Sequence, residues 1–262
     1  MMVYFNFLNV IFNPLLGIPP LLAVILMSLI ISVIVIFITK YTTNQSLMKK
    51  LKDDLKDYQK QVKELKNEPT KAMEVQKKAM EANMEYMKHS LKPTIITFIP
   101  IILLFGWMSS NFAYESIKPQ QEFSVSVIFD KDASGYIDLI APENIVIIGN
   151  KTAKITEKIE NGIFSSKKNY LANWTLKGTE GEHILEFDYN GEKEQKDVLI
   201  TNSDKYIEPA KKISNGQIKS IQINYKQRKI LNLFGWKLGW LGTYIIFSII
   251  FTMALRKVMK VY

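Results

Sequence analysis

Three long uncharged runs divide the chain: Ile18 to Thr39, Thr94 to Ala113 and Leu238 to Leu255. Each is long enough, or nearly so, to cross a hydrocarbon core of about 30 Å as a helix. The pattern predicts an α-helical integral membrane protein with three spans, whose function lies in polar groups within the spans or in the two inserts between them. Pro19 and Pro20 mark the start of the first span, since proline is tolerated in a first helical turn. Lys92-Pro93 opens the second, and Pro100 inside it predicts a kink or freed carbonyls. Ser109, Ser110 and Asn111 mark its far end.

Between the first two spans the period changes to a heptad. Met48, Leu51, Leu55, Tyr58, Val62 and Leu65 follow alternating spacings of three and four, an a/d seam. Asn67-Glu68-Pro69-Thr70 interrupts it, and Met73, Lys77, Met80, Met84, Met87 and Leu91 resume it. Two matched arms of roughly 23 residues, about 35 Å each at 1.5 Å per residue, predict an antiparallel coiled-coil hairpin that returns to the membrane on the side it left.

Between the second and third spans, Glu115 to Lys229 reads as β-structure. Phe123 to Phe129 alternates apolar and polar, and strands are also expected at 136–140, 145–148, 170–176, 184–189, 198–201 and 218–225. Turn signals stand at Ala133-Ser134-Gly135, Asn161-Gly162, Gly178 to Gly181 and Asn190-Gly191. The last, between two strand patterns, is the best hairpin signal. About seven short strands in about 110 residues suggest a small β-sandwich. The expected division is 1–40 for the N-terminal segment and first span, 41–92 for the hairpin, 93–114 for the second span, 115–229 for the β-rich insert and 230–262 for the third span and tail.

Charge then orients the chain. No charged residue precedes Lys40, whereas Lys40, Lys49, Lys50 and Lys52 follow the first span, Lys88 and Lys92 precede the second, and Arg256, Lys257 and Lys260 follow the third. The positive-inside rule places the N-terminus outside and the hairpin and C-terminus in the cytoplasm, with the β-rich insert outside the cell membrane. Lys226, Arg228, Lys229 and Lys237 depart from it, but they end a folded insert. The net charge of +9 is accounted for by basic residues near anionic headgroups, which makes anionic lipids expected partners. The N-terminus lacks the basic region of a cleavable signal.

Composition restricts the chemistry. With no cysteine and only two distant histidines, His89 and His183, disulfides, thiolate sites and a His-rich metal centre are not expected. No Ser/His/Asp set or P-loop is visible, so neither an enzyme nor a cofactor is expected. What remains is a polar stripe on the third span, Tyr244, Ser248, Thr252 and Arg256 at i, i+4 spacing. The first span carries Ser28, Ser32, Thr39 and Lys40, and the second Thr94 and Thr97. If these faces converge they form a wet recess open to the cytoplasm, with Lys40, Lys92 and Arg256 at its mouth. It would shorten the hydrocarbon path of a polar segment, since a charge at the bilayer centre costs about 2.5–3.5 kcal/mol on insertion scales. The same residues also suit ordinary spans, whose hydroxyls bond the carbonyl one turn back and whose terminal cations snorkel.

Met73, Met80, Met84 and Met87 permit two readings: a coiled-coil seam, or flexible thioethers that accept varied apolar segments. Gly235-x-x-x-Gly239 with Trp236 and Trp240 suggests close helix packing at the outer end of the third span. Asn150-Lys-Thr152 and Asn173-Trp-Thr175 are glycosylation sequons on the outer side.

The layout resembles the YidC/Oxa-type insertase superfamily, and most closely its archaeal branch, related to the third subunit of the endoplasmic-reticulum membrane complex. The segments that carry the resemblance are Asn13-Pro-Leu-Leu16, Met87 to Pro93 running into Thr97-Phe-Ile-Pro100, Phe105-Gly-Trp-Met108, Phe234-Gly-Trp236, and Gly239-Trp240 leading to Leu255-Arg-Lys257. It covers about residues 10–113 and 230–262 and leaves out the β-rich insert. The resemblance implies a three-helix insertase core with a cytoplasm-facing hydrophilic groove. It implies nascent membrane proteins, the ribosome and other translocation-machinery subunits as partners, with Met73, Met80, Met84, Met87 and Lys88 as contacts on the hairpin. Bacterial members place an arginine inside the first span; here Lys40 and Arg256 are the nearest substitutes. The alternative is a membrane-anchored sensor or binding scaffold, with an extracellular sandwich and a cytoplasmic docking arm.

Overall fold

The structure is a computed structural model that describes residues 6–130, 133–161 and 166–261. Residues 1–5 of the N-terminal segment and Gly162 of the expected Asn161-Gly162 turn lie outside the described residues. The chain forms two compact units, 1–109 with 229–262, and 110–228.

The first unit is mainly helical. A short helix α1 (Asn6–Phe12) and a 3-10 turn (Asn13–Gly17) precede α2 (Pro20–Thr42). Then come α3 (Gln45–Glu64), α4 (Pro69–Phe112) and, after the insert, α5 (Trp240–Met259). Helices α2, α4 and α5 are each long and apolar enough to cross a membrane. Asn44 caps α3 by accepting from the Leu47 N–H at 3.2 Å, which satisfies one of the four donors a helix start leaves open. Pro69 begins α4 after a four-residue turn.

Helix α4 departs from the expected division at Lys92-Pro93. It runs unbroken for 44 residues through Pro93 and Pro100, so the second hairpin arm and the second span are one element. Neither proline can donate to the carbonyl one turn back. In lipid the alternative to a helix is a stretch of unpaired backbone, which is costlier than one missing bond.

The spans pack through identifiable contacts. Ala23, Val24, Met27, Ser28, Ile31 and Ser32 form the buried face of α2, and Thr243 is buried on α5. The Phe105 ring of α4 meets Trp240 and Tyr244 of α5 edge-on, with centroids 5.6 and 4.8 Å apart. Trp107 is fully buried, donates its indole N–H to Asn9 Oδ1 at 2.7 Å and lies 5.3 Å from the Phe12 ring. Between Arg228 and α5 stands a two-stranded ribbon, β11 (Leu231–Leu233) and β12 (Trp236–Leu238).

The second unit contains two antiparallel sheets around one core. One orders β3 (Ile145–Ile148), β6 (Ser166–Gly178), β1 (Phe123–Phe129), β10 (Ile218–Ile223) and β9 (Ala210–Lys212), with β5 (Thr156–Asn161) also on β6. The other orders β4 (Thr152–Lys154), β2 (Tyr136–Ile140), β7 (Gly181–Tyr189) and β8 (Glu192–Ile200). Alternate residues of both sheets, among them Val125, Val127, Trp174, Leu185, Phe187 and Ile221, interdigitate. The seven expected strands are present, several of them longer. The strands β4, β5 and β9 were not anticipated, because their short polar sequences lack an alternating apolar face. Asn190 and Gly191, at φ 53° and 86°, form the expected two-residue hairpin turn.

This unit is closed by a clasp between its incoming and outgoing segments. The Glu115 N–H donates to the Lys226 carbonyl at 2.8 Å and the Arg228 N–H to the Ala113 carbonyl at 3.0 Å. The Ala113 N–H donates to the Tyr206 hydroxyl at 3.0 Å, and the rings of Tyr114, Tyr206 and Tyr225 stand 5.4–5.9 Å apart. Arg228 pairs with Asp204 at 3.2 Å.

Burial pushes the phenols of Tyr206 and Tyr225 up to about 12. Below pH 10 each is neutral whether folded or not; above it the unfolded chain ionises first. Stability present below pH 10 is therefore lost as the pH rises toward 12, by about 3 kcal/mol per tyrosine. Tyrosinate absorbance of the whole protein should show two late-titrating phenols, and Tyr225→Phe should remove one of them.

Candidate functional site

The phase of α4 sets the site. Its covered or half-covered positions include Ala72, Val75, Ala79, Ala82, Tyr86, Pro93, Thr97, Leu104 and Trp107, which follow one stripe with a period near 3.5. In the membrane half this stripe is fixed by Leu104 and Trp107. Because the helix is unbroken, its N-terminal half inherits the same phase. The expected seam through Met73, Met80, Met84, Met87 and Leu91 is therefore not the covered one. Those methionines are 57–71 % exposed, and Leu91 is also exposed. On α3, Met48 and Leu51 are buried and Leu55, Tyr58 and Val62 are half-buried. Large residues on α3 face small alanines on α4, and an open cleft of about 290 Å³ remains between the arms, lined by Leu51, Tyr58, Lys78 and Ala82 among others.

Met73, Met80 and Met84 line a shallow concavity of about 920 Å³ along α4. Lys77, Glu81, Glu85 and Lys88 border it. Unbranched thioethers with three rotatable bonds conform to apolar surfaces of many shapes, and charged borders of both signs discourage non-specific collapse.

The polar residues of the spans meet at one depth. Thr252 Oγ1 of α5 lies 3.4 Å from Ser32 Oγ of α2, so the two hydroxyls stand at one level. Thr97 lies eight residues from Phe105 and Thr252 eight from Tyr244; these are antiparallel helices joined by a ring contact. Both threonines are thus about 12 Å from that contact toward the same end. Lys40 lies eight residues beyond Ser32, and Arg256 one turn beyond Thr252, so all these cations gather at one end of the bundle. Lys40 and Arg256 are half-buried there.

Within this layer most hydroxyls bond their own helix. Thr39 donates to the Val35 carbonyl at 2.8 Å, Thr94 to Ser90 at 2.8 Å, Thr97 to Thr94 at 2.9 Å and Ser248 to Ile245 at 3.0 Å. Thr97 is only 6 % exposed, whereas Thr94 faces outward. A hydroxyl satisfied in this way keeps a lone pair free to accept from a passing donor.

The remaining candidates lie apart. Asn150 is exposed in the turn before β4, and Asn173 is exposed in the middle of β6, its Oδ1 accepting from Ser126 Oγ at 2.6 Å. The Gly235-x-x-x-Gly239 pattern is not helical: Gly235 sits in the β11–β12 turn at φ 96° and Gly239 is the N-cap of α5. Its spacing matched a helix-packing motif, but the strand pairing claims those residues first. Asn9, which anchors Trp107 from α1, was missed because a lone asparagine in a short apolar stretch carries no spacing signal. Among the described residues no group of three or more His, Asp or Glu side chains is placed to hold a metal.

Residues 9–130 match the family model of integral membrane proteins described as EMC3/TMCO1-like, a family related to the Oxa1/YidC-type insertase superfamily. The matched stretch runs from α1 through the hairpin and α4 into β1. No curated protein and no solved structure matches the chain.

The two faces of α4 differ in what they contribute to stability. Met80→Gln and Met84→Gln, on the exposed stripe, should change stability by less than about 0.5 kcal/mol. Leu51→Ala, in the covered seam, should cost about 2 kcal/mol or more. Hydrogen–deuterium exchange over residues 45–90 reads both: unchanged in the methionine variants, faster in Leu51→Ala.

Proposed function

We propose that this chain is a non-catalytic membrane-protein insertase of the YidC/Oxa kind, acting at the cell membrane with its N-terminus outside and its C-terminus in the cytoplasm. The observation that carries this reading is the continuity of α4. One 44-residue helix bears an exposed methionine stripe at one end and a candidate span at the other. An apolar segment held against Met73, Met80, Met84 and Met87 can follow the same helix into lipid with no change of element. The family-model match over residues 9–130 supports the reading.

The physical task is to move a short polar flank past hydrocarbon. On this proposal the layer of Ser32, Thr97, Ser248 and Thr252 offers hydrogen-bond partners partway along the spans, with Thr39, Thr94 and Tyr244 extending it along the bundle. Lys40 and Arg256 draw acidic flanks toward it and mainly raise the rate of capture. Lys88, at the base of the stripe, serves the ribosome or the nascent chain. No nucleotide is needed, because burial of the client's apolar segment drives the step, at roughly 25 cal/mol per Å².

A second reading, an anchored binding scaffold, is favoured by the self-closed β-rich unit, which has a core of its own. The two readings separate on removal of residues 115–227 with a short linker in their place. Insertion survives if the helical unit does the work, and is lost if the insert does.

A photo-reactive residue at Met84 or Thr97 should crosslink to ribosome-bound nascent membrane proteins, Met84 to shorter chains than Thr97. Crosslinking no stronger than in an unrelated three-span protein would reject the proposal. Lys40→Ala with Arg256→Ala should slow insertion of clients with acidic tails, roughly fivefold for each charge lost at about 1 kcal/mol per charge. Clients with neutral tails should be unaffected in the same reconstituted assay.

A further inference from the structure

The β11–β12 ribbon has no role in the scheme above, and its residues conflict with its backbone. Its turn is formed by Phe234 and Gly235, at φ 50° and 96°. Two-residue turns with positive φ at both positions favour Asn-Gly or Asp-Gly. The same chain uses Asn190-Gly191 for its other such turn, at φ 53° and 86°. A bulky aromatic residue in the left-handed region is a genuine outlier, and such conflicts gather where function requires them. Phe234 is fully exposed and Trp236 is 78 % exposed.

The pairing register sharpens the point. Leu231 stands opposite Leu238 and Leu233 opposite Trp236. Directly paired residues share a face, and alternate residues along a strand do too. All four side chains therefore lie on one face of the ribbon, with Phe234 at its tip. The other face carries Asn232, paired with Lys237. Among the described residues the ribbon pairs with no third strand, and an isolated two-stranded hairpin is marginal in water. It leads through Gly239 directly into α5 at Trp240.

We propose that the β11–β12 ribbon is a lipid anchor that lies in the bilayer interface beside the start of α5. Leu233, Phe234 and Trp236 enter the boundary between acyl chains and headgroups, and Lys237 and Asn232 face the phosphates. Three observations select a phospholipid surface as the occupant: continuity with a membrane span, an amphipathic split with a cation on the polar face, and a tryptophan beside an aromatic tip, the residue types that favour the headgroup level. The anchor fixes the tilt and rotation of α5, and through Phe105 and Tyr244 the gap between α5 and α4. It requires only that α5 spans a membrane, and it stands whether or not the chain inserts clients.

The cysteine-free sequence allows a direct test. A nitroxide is placed at Phe234→Cys, at Asn232→Cys or at the comparison turn Asn190→Cys in the full chain. Each protein is reconstituted alone, at about one copy per vesicle, in phosphatidylcholine with phosphatidylglycerol. At residue 234 collisions with oxygen should exceed those with a water-soluble nickel chelate. At residues 232 and 190 the ratio should be reversed. Trp236→Phe should lose part of the quenching of the protein's tryptophan fluorescence by brominated lipid, and Phe234→Asn should lower that quenching too. Water-like accessibility at 234, equal to that at 190, would overturn the proposal and leave a protein client as the occupant. Protection that appears only at many copies per vesicle would overturn it in favour of a second copy of the chain.

Discussion

Backbone hydrogen bonding in lipid is the constraint on which this structure turns, and α4 is where it acts hardest. Two prolines that would end a helix in water are carried through, because the bilayer offers no water to the groups a break would expose. The unbroken helix then transmits rotation as well as position. Trp107, held by Asn9 and Phe12, sets which face of the membrane half is covered. The N-terminal half has no freedom to choose another phase, so the methionine stripe is left exposed by a contact twenty or more residues away.

The polar residues of the spans follow a different logic. A serine or threonine hydroxyl in a helix has a carbonyl one turn back at all times, and Thr39, Thr94, Thr97 and Ser248 use it or a close equivalent. Such residues carry acceptors into a span at little cost, whereas a buried unpaired charge costs several kcal/mol. Mild polarity thus lies within the spans, and full charges stand at the helix ends. Thr252 and Ser32 differ, since their hydroxyls meet across two helices.

The β-rich unit has another solution to being an insert. Its first and last segments hydrogen-bond to each other, and the buried tyrosines behind them keep the junction dry. Closing a long loop costs free energy only as the logarithm of its length, so a folded insert with adjoining ends is tolerated between two helices. The β11–β12 ribbon that follows shows the opposite economy: it is too small to have a core, and its apolar face is left to its surroundings.

Much of this was legible in the residues themselves. Uncharged runs marked the three spans, alternation marked the main strands, Asn190-Gly191 marked a hairpin, and the basic clusters marked one end of the bundle. These are local properties, fixed by period, turn chemistry and charge within a few residues. The covered face of α4 was not legible, because the methionine stripe and the alanine-rich stripe have the same spacing and size alone favours the wrong one. Gly235 and Gly239 fitted a helix motif as well as they fit a turn and a cap. The depth shared by Thr97, Ser32 and Thr252 was equally hidden. Periodicity says that a helix has a face, and only the partner packed against it decides which face is covered and at what height its residues meet.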